Sequence, residues 1–373
     1  MYRQLRLLIA LAAILAAGGA VAAEIRIGFA NPLTGPYAST GTRNRVALEL
    51  AVADLNEGGG VLHQPVRLIV ADDACGVEEA AAAAQRLVDE GVRFVLGHLC
   101  SHSSLMAAAV YEVADVIMMT TTSSHPRLTE EGRRNVFRLI GRDDRQGRIA
   151  GDLLADRWAD RKIAILHDGS TYGDGLAEQT WRRLHERGVT ETLRFAYTPG
   201  QDNYDRLVEL LQRTGIEVAY VGGYGPDAAR ILRAARQRGF GLQLVGGHAL
   251  GMPEFWSIAG AVGNGTIFTG RRDTGLPPAG APALAQAHIH DLEARPAIFA
   301  VYAAIQVWAE AVERAGTLEF SAVTNALRRG RFDTVLGWIA FDDKGDLEGA
   351  DWQWQMWMDG RYELLKPPLA MNR

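Results

Sequence analysis

Residues 92–104 read VRFVLGHLCSHSS. Val92 to Gly97 is a short apolar run of strand character, and Gly97 closes it. From Ser101 onward, serines lead into Leu105, Met106 and a run of alanines at helical period, and serine is a favoured residue at a helix start. A strand that ends in a hydroxyl-rich turn and feeds a helix is the repeating unit of an open parallel sheet. Such sheets hold ligands beyond the carboxyl ends of their strands, where helix N-termini offer free N–H groups and partial positive charge. The same stretch sets His98, Cys100 and His102 at alternate positions, a spacing that on an extended chain would suit zinc. The extended geometry ends at Cys100, where the helix begins, so no metal site is assigned.

The pattern repeats outward. Upstream come EIRIGFA (24–30), a helix over 42–57, VRLIVAD (66–72) and a helix over 77–90; downstream come a helix over 102–113 and VIMMT (116–120). After a linker near 141–145 the rhythm restarts: a helix over 145–159, KIAILHD (162–168), a helix over 174–187, TLRFAYT (192–198), a helix over 203–213, EVAYVGG (217–223), a helix over 227–237 and LQLVGG (242–247). Short Val/Ile-rich runs alternating with longer helical segments specify an α/β fold of two doubly wound parallel-sheet units. Beyond GTIFTG (265–270) the order changes. The Pro/Gly-rich GLPPAGAP (275–282) precedes amphipathic helices over 296–315 and 319–329, and WQWQMWM (352–358) alternates like a one-faced antiparallel strand after the turn DDKGD (342–346).

Arg3 and Arg6 precede an apolar run from Leu7 to Ala17 and small residues up to Ala23, which reads as a signal peptide over 1–23 and places the mature chain in the periplasm. Removing those two arginines takes the net charge from −5 to about −7, and no basic block occurs, so nucleic acid is excluded as a partner. Two cysteines, Cys75 and Cys100, in an exported chain read by default as a disulfide. No G-x-G-x-x-G, Walker, G-x-S-x-G or H-E-x-x-H sequence is present, so neither a cofactor nor an enzymatic activity is expected. Asp72 and Asp73 read as solvated carboxylates at a strand end, and Trp308, Trp338, Trp352, Trp354 and Trp357 as packing residues.

Two hydroxyl-rich turns follow successive strands of the first unit. One holds Ser101, Ser103 and Ser104; the other is TTTSSHP (120–126), with Thr122 and Ser124. Together they suit a small anionic group such as a carboxylate, although capping alone would also account for serines there. In the second unit HDGSTYGDG (167–175) and VGGYGPD (221–227) each put a tyrosine just after a strand, Tyr172 and Tyr224. Each could close on a ligand with an apolar face and a hydroxyl.

NPLTGPYASTG (31–41), DDAC (72–75), GHLCS (97–101), YGDGLA (172–177), GGYGPD (222–227) and FDDKGDL (341–347) carry a resemblance over essentially the whole mature chain. The sequence resembles the type I periplasmic-binding-protein family, in its branch serving branched-chain amino acid ABC transporters. That resemblance implies two lobes joined by a three-crossing hinge, with crossings near 142, 270 and 337. Lobe 1 would comprise 24–142 plus 271–336, and lobe 2 143–270 plus 337–373. It implies a Cys75–Cys100 disulfide, a ligand α-carboxylate on Ser101 and Ser124, an α-ammonium on the Thr122 carbonyl, and contributions from Tyr172 and Tyr224. It further implies a monomer that delivers an amino acid or related carboxylate to an inner-membrane ABC permease. Two departures stand out. His248, in GGH (246–248), occupies the place of the family's acidic ammonium partner, and Thr40 stands where an aromatic is usual at the cleft mouth. Glu254 and Asp227 are candidate replacements for the acid. The alternative is a carboxylate or amide that is not an amino acid, or a role as a ligand-sensing receptor subunit.

Overall fold

The computed structural model describes residues 24–271 and 296–365; the signal-peptide assignment and the GLPPAGAP linker lie outside them. The first sheet contains β1 (Ile25–Asn31), β2 (Val66–Asp72), β3 (Phe94–Gly97), β4 (Ile117–Thr120) and β5 (Val136–Arg138), in the spatial order β2-β1-β3-β4-β5. All of its pairings are parallel. Strands such as β3 (FVLG) are buried at every position, which is why they read as continuous apolar runs and not as alternations. Leu48 and Val52 from the helix Ala38–Glu57, with Trp308 and Val312 from the helix Pro296–Ala315, cover one face. Leu87 from the helix Val77–Asp89, with Ala107 and Tyr111 from the helix Ser101–Val113, covers the other.

The second sheet joins β6 (Ile163–His167), β7 (Leu193–Ala196), β8 (Val218–Gly222), β9 (Gln243–Gly246) and β10 (Ile267–Arg271) with two later strands, β13 (Trp352–Met358) and β14 (Arg361–Leu364). β10–β13 and β13–β14 are antiparallel and the remaining pairs parallel. Leu153 and Leu154 (helix Asp143–Trp158) and Leu176 and Leu184 (helix Thr171–Glu186) pack on one face. Val208, Leu211, Ile231 and Leu232 pack on the other.

The third hinge crossing departs from its expected position. β11 (Arg331–Thr334) pairs antiparallel with β12 (Gly337–Ala340), and Ile339 and Phe341 are buried in the first core with Leu347 against it. Residues 337–347 therefore pack with the first sheet, and the chain passes to the second between Leu347 and the start of β13 at Trp352. The driving force is burial of Phe332, Ile339 and Phe341, which a break at 337 would split between two units. β5 had no counterpart in the sequence reading. Its short VFR segment carries Arg138, a residue type that signals surface, yet Arg138 is fully buried on Asp346.

Candidate functional site

The two hydroxyl turns meet at the backbone of one residue. The His98 carbonyl accepts hydrogen bonds from Ser104 Oγ (3.2 Å), Thr120 Oγ1 (3.0 Å) and Ser123 Oγ (3.1 Å). The His98 ring is fully buried, with Nδ1 at 2.6 Å from Asp73 Oδ2 and Nε2 at 3.2 Å from the Tyr111 hydroxyl. Asp73, expected to be solvated, is fully buried, because it pairs with His98 and accepts from the Cys75 N–H. Cys75 and Cys100 form the disulfide, Cα to Cα 5.6 Å, and fix the residue that immediately precedes the helix Ser101–Val113. His102 Nε2 meets the Cys75 carbonyl. Since both sulfurs are bonded to each other, Cys75, Cys100 and His102 offer a cation no thiolate.

This scaffold assigns the hydroxyls unequally. Ser103 bonds the Gly76 carbonyl, while Ser104 and Ser123 bond each other and the His98 carbonyl. Ser101 opens the helix Ser101–Val113, and Ser124 lies beside Asp143, whose N–H donates to the Ser124 carbonyl at 3.0 Å. Ser101 is 3% exposed, and the Ser124 hydroxyl is buried without a well-formed hydrogen bond.

The second unit supplies the opposite wall. Tyr172 and Tyr224 lie with ring centroids 5.2 Å apart; Tyr172 packs edge-on to His248, also at 5.2 Å, and His248 lies against Trp352. Burial raises both tyrosine hydroxyls well above their usual range, so they remain protonated donors. The Tyr224 hydroxyl lies toward the Ser101 N–H, and the His248 ring toward the Thr122 carbonyl, so groups from both sheets converge on the same turns. Gln146 orders this wall: its Oε1 accepts from the His248 N–H at 2.8 Å and from Thr269, and its Nε2 donates to Asp143 Oδ1 at 2.8 Å. Burial lowers the His248 pKa to about 4, with Arg271 acting in the same direction against the opposing Thr122 carbonyl. At neutral pH His248 is an uncharged hydrogen-bonding group and cannot counter a cation.

An acid that sequence reasoning did not single out, Asp143, lies beside Ser124. It opens the helix Asp143–Trp158 at the first crossing and is fully buried. Its Oδ1 accepts from Gln146, its Oδ2 has no well-formed hydrogen bond among the described residues, and the Ser124 hydroxyl lies beside the carboxyl group. Burial raises its pKa to about 7 against the lowering influence of Ser124, Arg138 and Gln146. The signal was GRDDRQG (141–147), which reads as a helix start with acids complementing the dipole. Only the fold brings this carboxyl, at a crossing between two sheets, beside Ser124 and Gln146.

Neither acid expected to stand in for the family's ammonium partner is free. Glu254 binds Thr40 across the cleft, through the Thr40 N–H and Oγ1, both at 2.7 Å. Asp227 accepts from the Tyr204 hydroxyl and the Gly200 N–H. Thr40 thus acts as half of an inter-lobe contact at the mouth, while also lining the adjoining pocket. Tyr37, a further residue the sequence did not single out, packs on Tyr224 at 4.8 Å from the first unit.

The architecture of two α/β units matches known proteins. The family described as periplasmic binding protein matches residues 24–351. The chain belongs to that family. A Leu/Ile/Val-binding protein homolog of Brucella suis is 33% identical over 96% of this chain and 98% of its own length. The leucine-, isoleucine-, valine-, threonine- and alanine-binding protein of Pseudomonas aeruginosa is 34% identical over 89% of this chain and 90% of its own. Among solved structures, a leucine-binding protein of Thermotoga maritima superposes with a TM-score of 0.83 at 26% identity, covering 92% of this chain and 98% of that one. A substrate-binding protein of Desulfitobacterium hafniense, solved with leucine, gives 0.75 at 27%, covering 92% and 100%. The chain shares its overall α/β fold with those structures, each sheet carrying helices on both faces, and no helix among its described residues is long and apolar enough to cross a membrane.

Proposed function

We propose that this protein is the exported solute-binding component of an ABC importer, and that its cleft takes an L-α-amino acid. The helix N-terminus at Ser101, with Ser124 and Thr122, receives the α-carboxylate. Asp143 receives the α-ammonium, with the Thr122 carbonyl beside it and Tyr172 and Tyr224 covering the head group. The supporting observation is Asp143 itself: a buried carboxyl with one oxygen lacking a well-formed hydrogen bond, next to an equally unsatisfied Ser124 hydroxyl. Buried polar atoms are ordinarily satisfied, so an acceptor and a hydroxyl side by side without well-formed bonds suit a ligand that carries both an ammonium and a carboxylate. His248 does not replace the family's acid; it is a neutral spacer that holds Thr122 and Gln146. The names of the relatives, which bind leucine, isoleucine and valine, support an amino acid as the ligand class. The signal peptide over 1–23, the monomeric state and the inner-membrane permease belong to the same proposal.

Titrating refolded protein calorimetrically with L-α-amino acids and their 2-oxo acid analogues tests it. At least one amino acid should bind about 100-fold more tightly than its 2-oxo analogue, because the analogue lacks the ammonium with which Asp143 pairs. Equal binding of the pair, or no heat from any amino acid, would overturn the proposal.

A further inference from the structure

The cleft continues past Thr122 and His248 into a second pocket. Ile140, Phe268, Ile298 and Trp352 make its apolar walls, yet Arg271 also lines it, with Gln355 nearby. No aspartate or glutamate is among the described lining residues. Arg271, at the end of β10, donates to the Leu139 carbonyl, and this is its hydrogen bond among the described residues. A carbonyl satisfies a donor without neutralising the charge. Burial lowers the Arg271 pKa to about 10, which still leaves it a cation at neutral pH, and its field reaches His248. Arg43, which has a partner of its own, adds a second guanidinium to the lining.

A branched aliphatic side chain in this pocket would exclude water from Arg271 and give nothing back. A desolvated charge without a counter-ion is costly, whereas a carboxylate matches a guanidinium in both charge and planar donor geometry. We propose that the pocket receives a side chain ending in a carboxylate, so that the solute is an acidic α-amino acid: aspartate, glutamate or the next longer homologue. The inference rests on the amino-acid reading above and completes its charge pattern. The helix N-terminus faces the α-carboxylate, Asp143 the α-ammonium and Arg271 the distal carboxylate, while His248 stays neutral between them.

The test is calorimetric titration of refolded wild type, Arg271→Met and Arg271→Lys with L-leucine, L-aspartate, L-glutamate and L-2-aminoadipate. One of the three acids should bind wild type at least about ten-fold tighter than leucine. Arg271→Met should shift the acid-to-leucine ratio toward leucine by about ten-fold or more, and Arg271→Lys, which keeps the charge, should retain an acid preference. Leucine binding wild type more tightly than all three acids would overturn the inference and leave the amino-acid reading standing. An acid preference unchanged in Arg271→Met would also overturn it. Failure of every amino acid to bind would sink both. The wild-type ranking decides the matter alone if Arg271→Met does not fold.

Discussion

Asp143 and His248 are neighbours through Gln146, and burial favours the neutral form of each. The consequences for stability run in opposite directions with pH. Asp143 is raised from 3.8 to about 7, so the unliganded native state binds the extra proton between those values, and this group's contribution grows as pH falls from 7 toward 3.8. His248 is lowered from 6.5 to about 4, so the unfolded chain binds the extra proton, and this contribution is lost as pH falls through the same region. His248→Gln should therefore resist urea better at pH 5, relative to pH 7, than wild type does, whereas Asp143→Asn should resist it less well on that comparison. For binding, His248→Gln should change amino-acid affinity by no more than about three-fold, since it exchanges one neutral group for another, while Asp143→Asn should weaken it about 100-fold. Calorimetric dissociation constants check both. Ser101, Ser124, Tyr172 and Tyr224, whose ligand roles are proposed, were candidates in the sequence because hydroxyls and tyrosines just after strand ends stand where an open parallel sheet meets its ligand. Asp143 was not, because an acid in the first turn of a helix already has an ordinary role there, complementing the dipole.

At the scale of elements, GHLCS is a structural node. His98 contributes no group to the cleft, yet its carbonyl ties the turn after β3 to the turn after β4, and its ring is held by Asp73 and Tyr111. Alternate spacing of His98, Cys100 and His102 mimicked a metal set, but Gly97 ends the strand before the cysteine that the disulfide claims. His98→Ala should leave Asp73 buried without its partner and lower stability by about 3 kcal/mol, read from the urea midpoint, with affinity falling as the Ser101 turn loosens. The second node lies at the hinge. Arg138, fully buried, donates from Nε to Asp346 Oδ1 at 2.9 Å, and Asp346 Oδ2 also accepts from Arg142 at 2.9 Å. Asp346→Asn should cost about 3–5 kcal/mol in a urea melt, because it leaves a buried guanidinium uncompensated. A buried ion pair between β5 and a loop more than 200 positions later has no periodicity, and so neither partner was legible.

For the whole molecule, alternation of short apolar runs with helical segments was enough to read two doubly wound units, since each fully buried parallel strand leaves its own mark. The return of the chain to the first unit was legible only through resemblance, and its third crossing was set about ten residues early because β11 and β12 bury their side chains jointly. Contacts join the two units: Leu99 and Cys100 share one core with Tyr172 and Tyr224, and Thr40 is clasped by Glu254. Glu254→Ala should therefore give a larger ligand-free radius of gyration than wild type in small-angle scattering, with saturating ligand restoring the compact value. An unchanged radius would show that the clasp does not bias the equilibrium.

The most direct measurement is the number of protons exchanged when an amino acid binds at pH 7, obtained from calorimetry in two buffers of different ionisation heat. Asp143, half protonated near its pKa of about 7, must ionise to hold an ammonium, so wild type should release about half a proton and Asp143→Asn none. Binding by wild type without proton release, or equal release by Asp143→Asn, would contradict the account.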